Sequence, residues 1–215
     1  MQLSSHSFQD GQAIPGEFAF AVPHASTHIA LSSNRNPHLA WSGAPAGTQS
    51  FVIVCHDPDV PSRCDDVNQE GRVVPADLPR VDFFHWLLLD IPASTTQIEA
   101  GAHSNGVTPT GKPGPHTTSH ADQGLRHGLN DYTAWFAGDA QMQGEYHGYD
   151  GPCPPWNDML VHRYVFTVYA LATPTLAVEG PLTGPNVRAA LAAAPVLGQA
   201  SLVGLYCLNP AIALG

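Results

Sequence analysis

His162 and Tyr164 stand two residues apart at the start of a run, His162 to Leu171, that is rich in β-branched and aromatic residues and reads as a buried strand. Alternate side chains of a strand share a face, so an imidazole and a phenol project the same way from its first residues. Just upstream, Gly151-Pro-Cys-Pro-Pro155 cannot be regular structure, because Pro152, Pro154 and Pro155 lack the N–H that a helix or central strand needs. A rigid loop against a His and a Tyr at a strand mouth suits a small ligand. The alternative is two side chains that satisfy local hydrogen bonds at a strand end. Cys153, inside the loop, reads either as a nucleophile beside a His or as a structural thiol. Flanking prolines and the lack of a basic neighbour favour the thiol.

Further segments must position these groups. Phe51-Val-Ile-Val-Cys55 is a short apolar run that reads as a central strand. It leads into His56-Asp-Pro-Asp-Val-Pro-Ser-Arg63, where two prolines should stop the strand and fix an acidic turn. Phe83 to Ile91, closed by Pro92, reads as a second central strand. Simple alternation puts Phe83, His85, Leu87, Leu89 and Ile91 on one face and Phe84, Trp86, Leu88 and Asp90 on the other. A His among apolar neighbours, as His85 is, is commonly a hydrogen-bonded core residue. Phe18, Phe20 and Val22 alternate as in a strand. Asn186 to Ala194 reads as a helix opened by Pro185 and ended by Pro195, and Ser201 to Leu208 as a last strand.

Residues 64–80 are polar and read as a surface loop. Residues 101–150 are the least regular part, and the Tyr132–Phe136 patch should tuck aromatics onto the body. His103, His116, His120, His127 and His147 have no spacing that sets two on one helix face, so no metal site is signalled.

Composition narrows the function classes. A formal charge of −10 argues against nucleic acid and against electrostatic docking to anionic membranes. Charged residues make up 12% of the chain, and Gly and Pro number 20 each, which favours a turn-rich β fold. No apolar stretch reaches the ~20 residues of a membrane span, and no signal peptide is read at the N-terminus. A soluble, cytoplasmic protein of one domain, residues 1–215, is expected. The four cysteines form no C-x-x-C pair, and a Cys64–Cys153 bridge stays open.

Asp57-Pro-Asp-Val-Pro-Ser-Arg63, His85-Trp86 and Gly151-Pro-Cys-Pro-Pro155 with His162-Arg-Tyr164 resemble the signature blocks of the phosphatidylethanolamine-binding protein family. The bacterial, Raf-kinase-inhibitor-like branch is the most similar. Ser7 to Pro15, Asn36 to Thr48 and Gly128 to Tyr132 are similar to that branch as well. The resemblance runs from about Leu3 to Leu208. It implies a mainly β, antiparallel sandwich with Greek-key connections, a few peripheral helices and a small anion pocket. It assigns to that pocket Asp57, Phe83, His85, Gly151, Pro154, Pro155, His162 and Tyr164. The prolines flanking Asp59 restrict its loop, so Asp59 should brace its own turn. The resemblance also marks 64–80 and 133–147 as insertions, which could rim or lid the pocket or form a homodimer surface.

Such a pocket fits a phosphate monoester or a phospholipid head group. His85, His162 and the Tyr164 hydroxyl would donate, with backbone N–H groups of the glycine–proline loop. Asp57 would orient one imidazole and favour its charged form. The expectation is a non-enzymatic, regulatory small-anion binder without cofactor or metal. A protein–protein regulator, such as a kinase or protease inhibitor, is the alternative. A hydrolase is the third reading, and no G-x-S-x-G, H-E-x-x-H or paired-carboxylate motif supports it.

Overall fold

The computed structural model describes residues 1–116 and 124–212, so His120 lies outside the described residues. In chain order the strands are β1 (Gln2–Ser4), β2 (Gln12–Ala13), β3 (Ala21–His24), β4 (His28–Leu31), β5 (Leu39–Ser42), β6 (Ser50–Pro61), β7 (Arg80–Pro92), β8 (Gln97–Ile98), β9 (Arg126–His127), β10 (His162–Leu171) and β11 (Val196–Tyr206). The helices are α1 (Tyr132–Trp135) and α2 (Gly184–Ala193).

The long apolar runs pair with one another. A six-stranded sheet has the order β2-β11-β10-β6-β7-β9. Its pairs are antiparallel except β2 with β11, which is parallel. A long excursion separates β7 from β10, which returns beside β6. A three-stranded sheet, β1-β5-β8, covers one face through Leu39, Trp41 and Ile98. Helix α2 covers the other with Val187 and Leu191. The chain is therefore mainly β with few helices, two sheets sandwiching one core and a helix capping the second.

Several boundaries depart from the sequence reading. β6 does not stop at Pro58. Its pairing with β10 ends at His56↔Val165, so beyond that point the strand has a free edge on which a proline leaves no ladder bond unmade. β11 begins at Val196, because Gly198 and Gln199 pair with Ala170 and Tyr169. Phe18 lies in a short 3₁₀ turn, and the strand there starts at Ala21.

β7 does not alternate simply. Cys55 pairs with Trp86, yet His56 pairs with Phe84, which leaves His85 as the extra residue of a bulge. A second irregularity surrounds Asp90, at φ +65°. As a result Trp86, Leu88 and Ile91 share one core, while Phe84, Leu87 and Leu89 share the other. The bulge aims His85 toward the first core side, where its ring meets Tyr164.

Residues 64–80 are tied down rather than loose. The Asn157 amide donates to the carbonyls of Asp66 (2.8 Å) and Arg72 (3.1 Å), and its oxygen accepts from the Asn68 amide (3.0 Å). The His28 ring stacks on Trp156 at 3.7 Å and bonds Glu70 at 2.6 Å. This clamps the β3–β4 hairpin to that segment.

Candidate functional site

The first core ends in a cavity of about 350 Å³, where β6, β7 and β10 meet the proline loop. Asp57, Phe83, His85, Pro154, Pro155, His162 and Tyr164 all line it. Gly151 does not. It is buried, its N–H donates to Asn34 Oδ1 (2.8 Å), and its carbonyl accepts from the Tyr132 hydroxyl (2.8 Å). A Cβ there would lie 2.2 Å from the Phe18 carbonyl oxygen, so the position needs glycine for packing.

His162 is fully enclosed between two carboxylates. Nδ1–H donates to Asp57 Oδ2 at 2.7 Å and Nε2–H to Asp158 Oδ2 at 3.1 Å. Burial alone would push the ring's pKa down; the hydrogen bonds to Asp158 and Asp57 outweigh it and hold the ring at about 9. Asp158 also takes the Arg80 guanidinium, with Nη2 at 3.0 Å from Oδ1. Burial raises the Asp158 carboxyl, and the bonds from His162 and Arg80 more than reverse this. Asp57 thus orients an imidazolium. His162, however, keeps no N–H for a ligand: both are engaged. Asp59 ties the neighbouring strand, its carboxylate bonding the Arg163 guanidinium at 2.7 and 2.8 Å.

His85 is the opposite case. Nδ1 lies 2.8 Å from the Asp150 carbonyl oxygen, which fixes the proton on Nδ1. Burial depresses the pKa, against the charges of Asp57 and Asp150. The ring is therefore neutral near pH 7, with Nε2 an acceptor that has no protein partner among the described residues. The Phe83 ring lies 4.9 Å away and the Tyr164 ring 5.0 Å away. Burial pushes the Tyr164 phenol well above its usual range, with Asp57 adding to it. The hydroxyl stays protonated and has no hydrogen-bond partner among the described residues.

Asp150 carries its own support. Its carboxylate accepts from Asn34 (2.7 Å), Asn130 (2.8 Å) and Lys112 (2.9 Å). Burial lowers the Lys112 pKa while Asp150 opposes it. This network holds the backbone that orients His85. Sequence reasoning missed Asp158, Arg80, Asp150, Lys112, Asn34 and Asn130. Available signals were an Asp directly before Gly151, another four residues before His162, and Asn130 within the Gly128–Tyr132 block.

Pro154 and Pro155 bring walls without an N–H, and of the loop's N–H groups that of Gly151 is committed to Asn34. Cys153 also lines the cavity, its thiol pushed up to about 12 by burial. Cys64, on the same lining, is exposed, and both thiols are free, so no bridge joins them. Around this polar floor the lining is mostly apolar and aromatic, including Phe20, Tyr132, Trp135 and Phe136, with Asn68 and Gln141 and, among the described residues, no Lys or Arg. Among the described residues no group of three His, Cys, Asp or Glu forms a metal-ligand cluster, and no helix is long and apolar enough to cross a membrane.

The model of the phosphatidylethanolamine-binding protein family matches residues 4–207. This chain belongs to that family. It is 30% identical over 206 residues to a UPF0098 protein of Methanothermobacter thermautotrophicus, covering 96% of this chain and 98% of that one. It is 29% identical to UPF0098 protein YbhB of Escherichia coli, over 87% and 91% of the two chains. The crystal structure of E. coli YbcL, described as a member of the mammalian PEBP family, superposes with a TM-score of 0.66 at 26% identity, covering 96% and 97%. With family membership established, the sandwich with its cavity at the ends of β6, β7 and β10 is this chain's version of the family fold.

Proposed function

We propose that this protein is a non-enzymatic binding protein for a small phosphate-bearing ligand, a phosphate monoester or phosphoethanolamine head group, and that occupancy serves regulation rather than turnover. One observation carries the reading. The cavity has a neutral imidazole acceptor, His85 Nε2, beside a protonated phenol, Tyr164, whose hydroxyl has no hydrogen-bond partner among the described residues.

That pair complements an oxyacid that still carries one proton. A monoanionic phosphate donates its P–OH to Nε2 and accepts from the phenol. A dianion has no proton for His85 and meets no Lys or Arg on the lining. The amine of phosphoethanolamine would rest over the aromatic faces of Phe20, Phe83 and Tyr132. Asp57 is not its partner, since one oxygen holds His162 and the other accepts from the Asp59 amide.

The thiol and phenol chemistry supports binding over turnover. Hydrolysis by covalent catalysis needs an activated nucleophile. Cys153 and Tyr164 are both held protonated by burial.

Calorimetric titration with phosphoethanolamine tests this. A phosphate monoester has its second pKa near ~6, so affinity should fall about tenfold per pH unit above that value. His85→Ala and Tyr164→Phe should each weaken binding about tenfold or more. Unchanged affinity in His85→Ala discards the reading.

A further inference from the structure

We infer that the cavity has a second, apolar compartment that takes the alkyl chain of a monomeric, single-chain amphiphile whose oxyacid head sits at His85 and Tyr164. The inference rests on the head-group reading above.

The compartment is built by segments other than the three strands that carry the polar floor. Trp135, Phe136 and Met142 enter the lining from the 133–147 segment, Leu31 from β4 and Val67 from the 64–80 segment, with Gln141 and Asn68 the polar side chains those two segments add. Two of these are apolar side chains left in water: Leu31 is 63% exposed and Trp135 46%. Exposed apolar groups continuous with a polar-floored cavity mark a surface that an apolar ligand would cover.

The wall is already formed. The Tyr146 hydroxyl donates to the Met142 carbonyl at 2.5 Å, and the Tyr146 amide donates to Thr133 Oγ1 at 2.9 Å. Phe136 stacks on Tyr132 with ring centroids 5.5 Å apart. A chain entering this space orders little that is not ordered already.

Volume and charge choose among amphiphiles. At the ~30 Å³ that a water molecule occupies in the liquid, 350 Å³ holds roughly a dozen non-hydrogen atoms. The phosphorus and four oxygens of a phosphate monoester leave room for about seven carbons. That volume is filled by one short chain, and a longer one would run out through the open side between Leu31 and Trp135 without further burial. The net charge of −10 opposes docking to an anionic bilayer, so the occupant is an amphiphile free in solution.

The test is calorimetric titration of the full chain, near pH ~6, with ethyl, butyl, hexyl, octyl and decyl phosphate below their micelle concentrations. Affinity should rise three- to fourfold per methylene, the burial gain of one CH₂, up to about seven or eight carbons and then level off. In Trp135→Ala and in Leu31→Ser the rise per methylene should flatten, so that octyl phosphate loses more affinity than ethyl phosphate. Leu31 is exposed, so that variant reports even where Trp135→Ala misfolds. If ethyl phosphate binds and chain length has no effect, the compartment is refuted and the head-group reading survives. If no alkyl phosphate binds, the head-group reading fails and this inference with it. Binding to phosphatidylserine-containing vesicles without binding of the free alkyl phosphates refutes the monomeric occupant.

Discussion

Titrating the fold between about pH 6 and pH 10 interrogates the buried charge cluster directly. His162 is held at about 9, against ~6.5 for an unfolded histidine. The folded value is the higher, so the native state binds the proton more tightly. The ring contributes its full stabilisation below about pH 6.5 and loses it as pH rises through about 9. The gap of about 2.5 in pKa, at 1.36 kcal/mol each, amounts to about 3 kcal/mol. No discount for solvent applies, because the side chain is fully buried. Against a typical total of ~5–15 kcal/mol, that loss is large. The buried thiols of Cys55 and Cys153 also have raised pKa values, and they erode stability in the same direction above about pH 8.5. The measurement is therefore a comparison. Because Asp57 adds to the raised Cys55 pKa, urea unfolding is followed across the range in a Cys55→Ala background, with and without Asp57→Asn, so that the Cys153 contribution, set by burial, cancels. Removing one of the two anions should lower the His162 pKa and shrink the pH-dependent loss. ¹⁵N NMR of the ring gives an independent reading, with both nitrogens protonated at pH ~7.5 in the native sequence. A neutral His162 ring at that pH, or parallel loss of stability in the two proteins, would refute the reasoning.

Two further outcomes are expected. Gly151→Ala should destabilise by about 3 kcal/mol or more in urea unfolding, since the new Cβ meets backbone at 2.2 Å; affinity lost without stability lost would return Gly151 to the ligand-binding set. Asn157→Ala should release the 64–80 segment, removing bonds to Asn68, Asp66 and Arg72 at ~1 kcal/mol each. Limited trypsin digestion at Arg63 and Arg72 should then accelerate at least tenfold, and unchanged digestion would show that the segment is held by other contacts.

How far the sequence could be read depended on the range of the interaction. β10 was legible at both ends, because its β-branched and aromatic run is dense and Pro174 lies just beyond. The convergence of Asp57, Phe83, His85, His162 and Tyr164 on one cavity was readable only through family blocks, since they come from three strands. What the sequence concealed was register. Nothing in Phe83-Phe-His-Trp86 announces that His85 is the extra residue opposite His56, and that single slip reverses which leucines accompany it. Equally hidden was the second partner of His162. Asp158 lies four residues away outside any helix, where a spacing of four predicts no contact, and only the turn after Pro155 brings the two together. The prolines misled for a related reason: Pro58 ends a strand only where both edges are paired, and β6 has lost its β10 neighbour by then.

The two histidines illustrate why residue type alone does not decide a site's chemistry. Asp57, Asp158, His162 and Arg80 sum to no net charge, and the protons of His162 are committed within that set. The imidazolium therefore braces the junction of β6 and β10 and leaves no N–H for a ligand. His85 is denied such partners. A single backbone carbonyl fixes its proton, and burial keeps it neutral. The fixed charges cancel and the lining holds no Lys or Arg, so the floor offers an incoming oxyacid one acceptor and one donor. On the proposed function, selection falls on the ligand's own protonation state, because an oxyacid that has lost its last proton presents only acceptors to His85 Nε2. On the proposed function, the same arrangement makes binding take up a proton above the ligand's pKa, so the pH slope of affinity reports on His85 and not on the more conspicuous, charged His162.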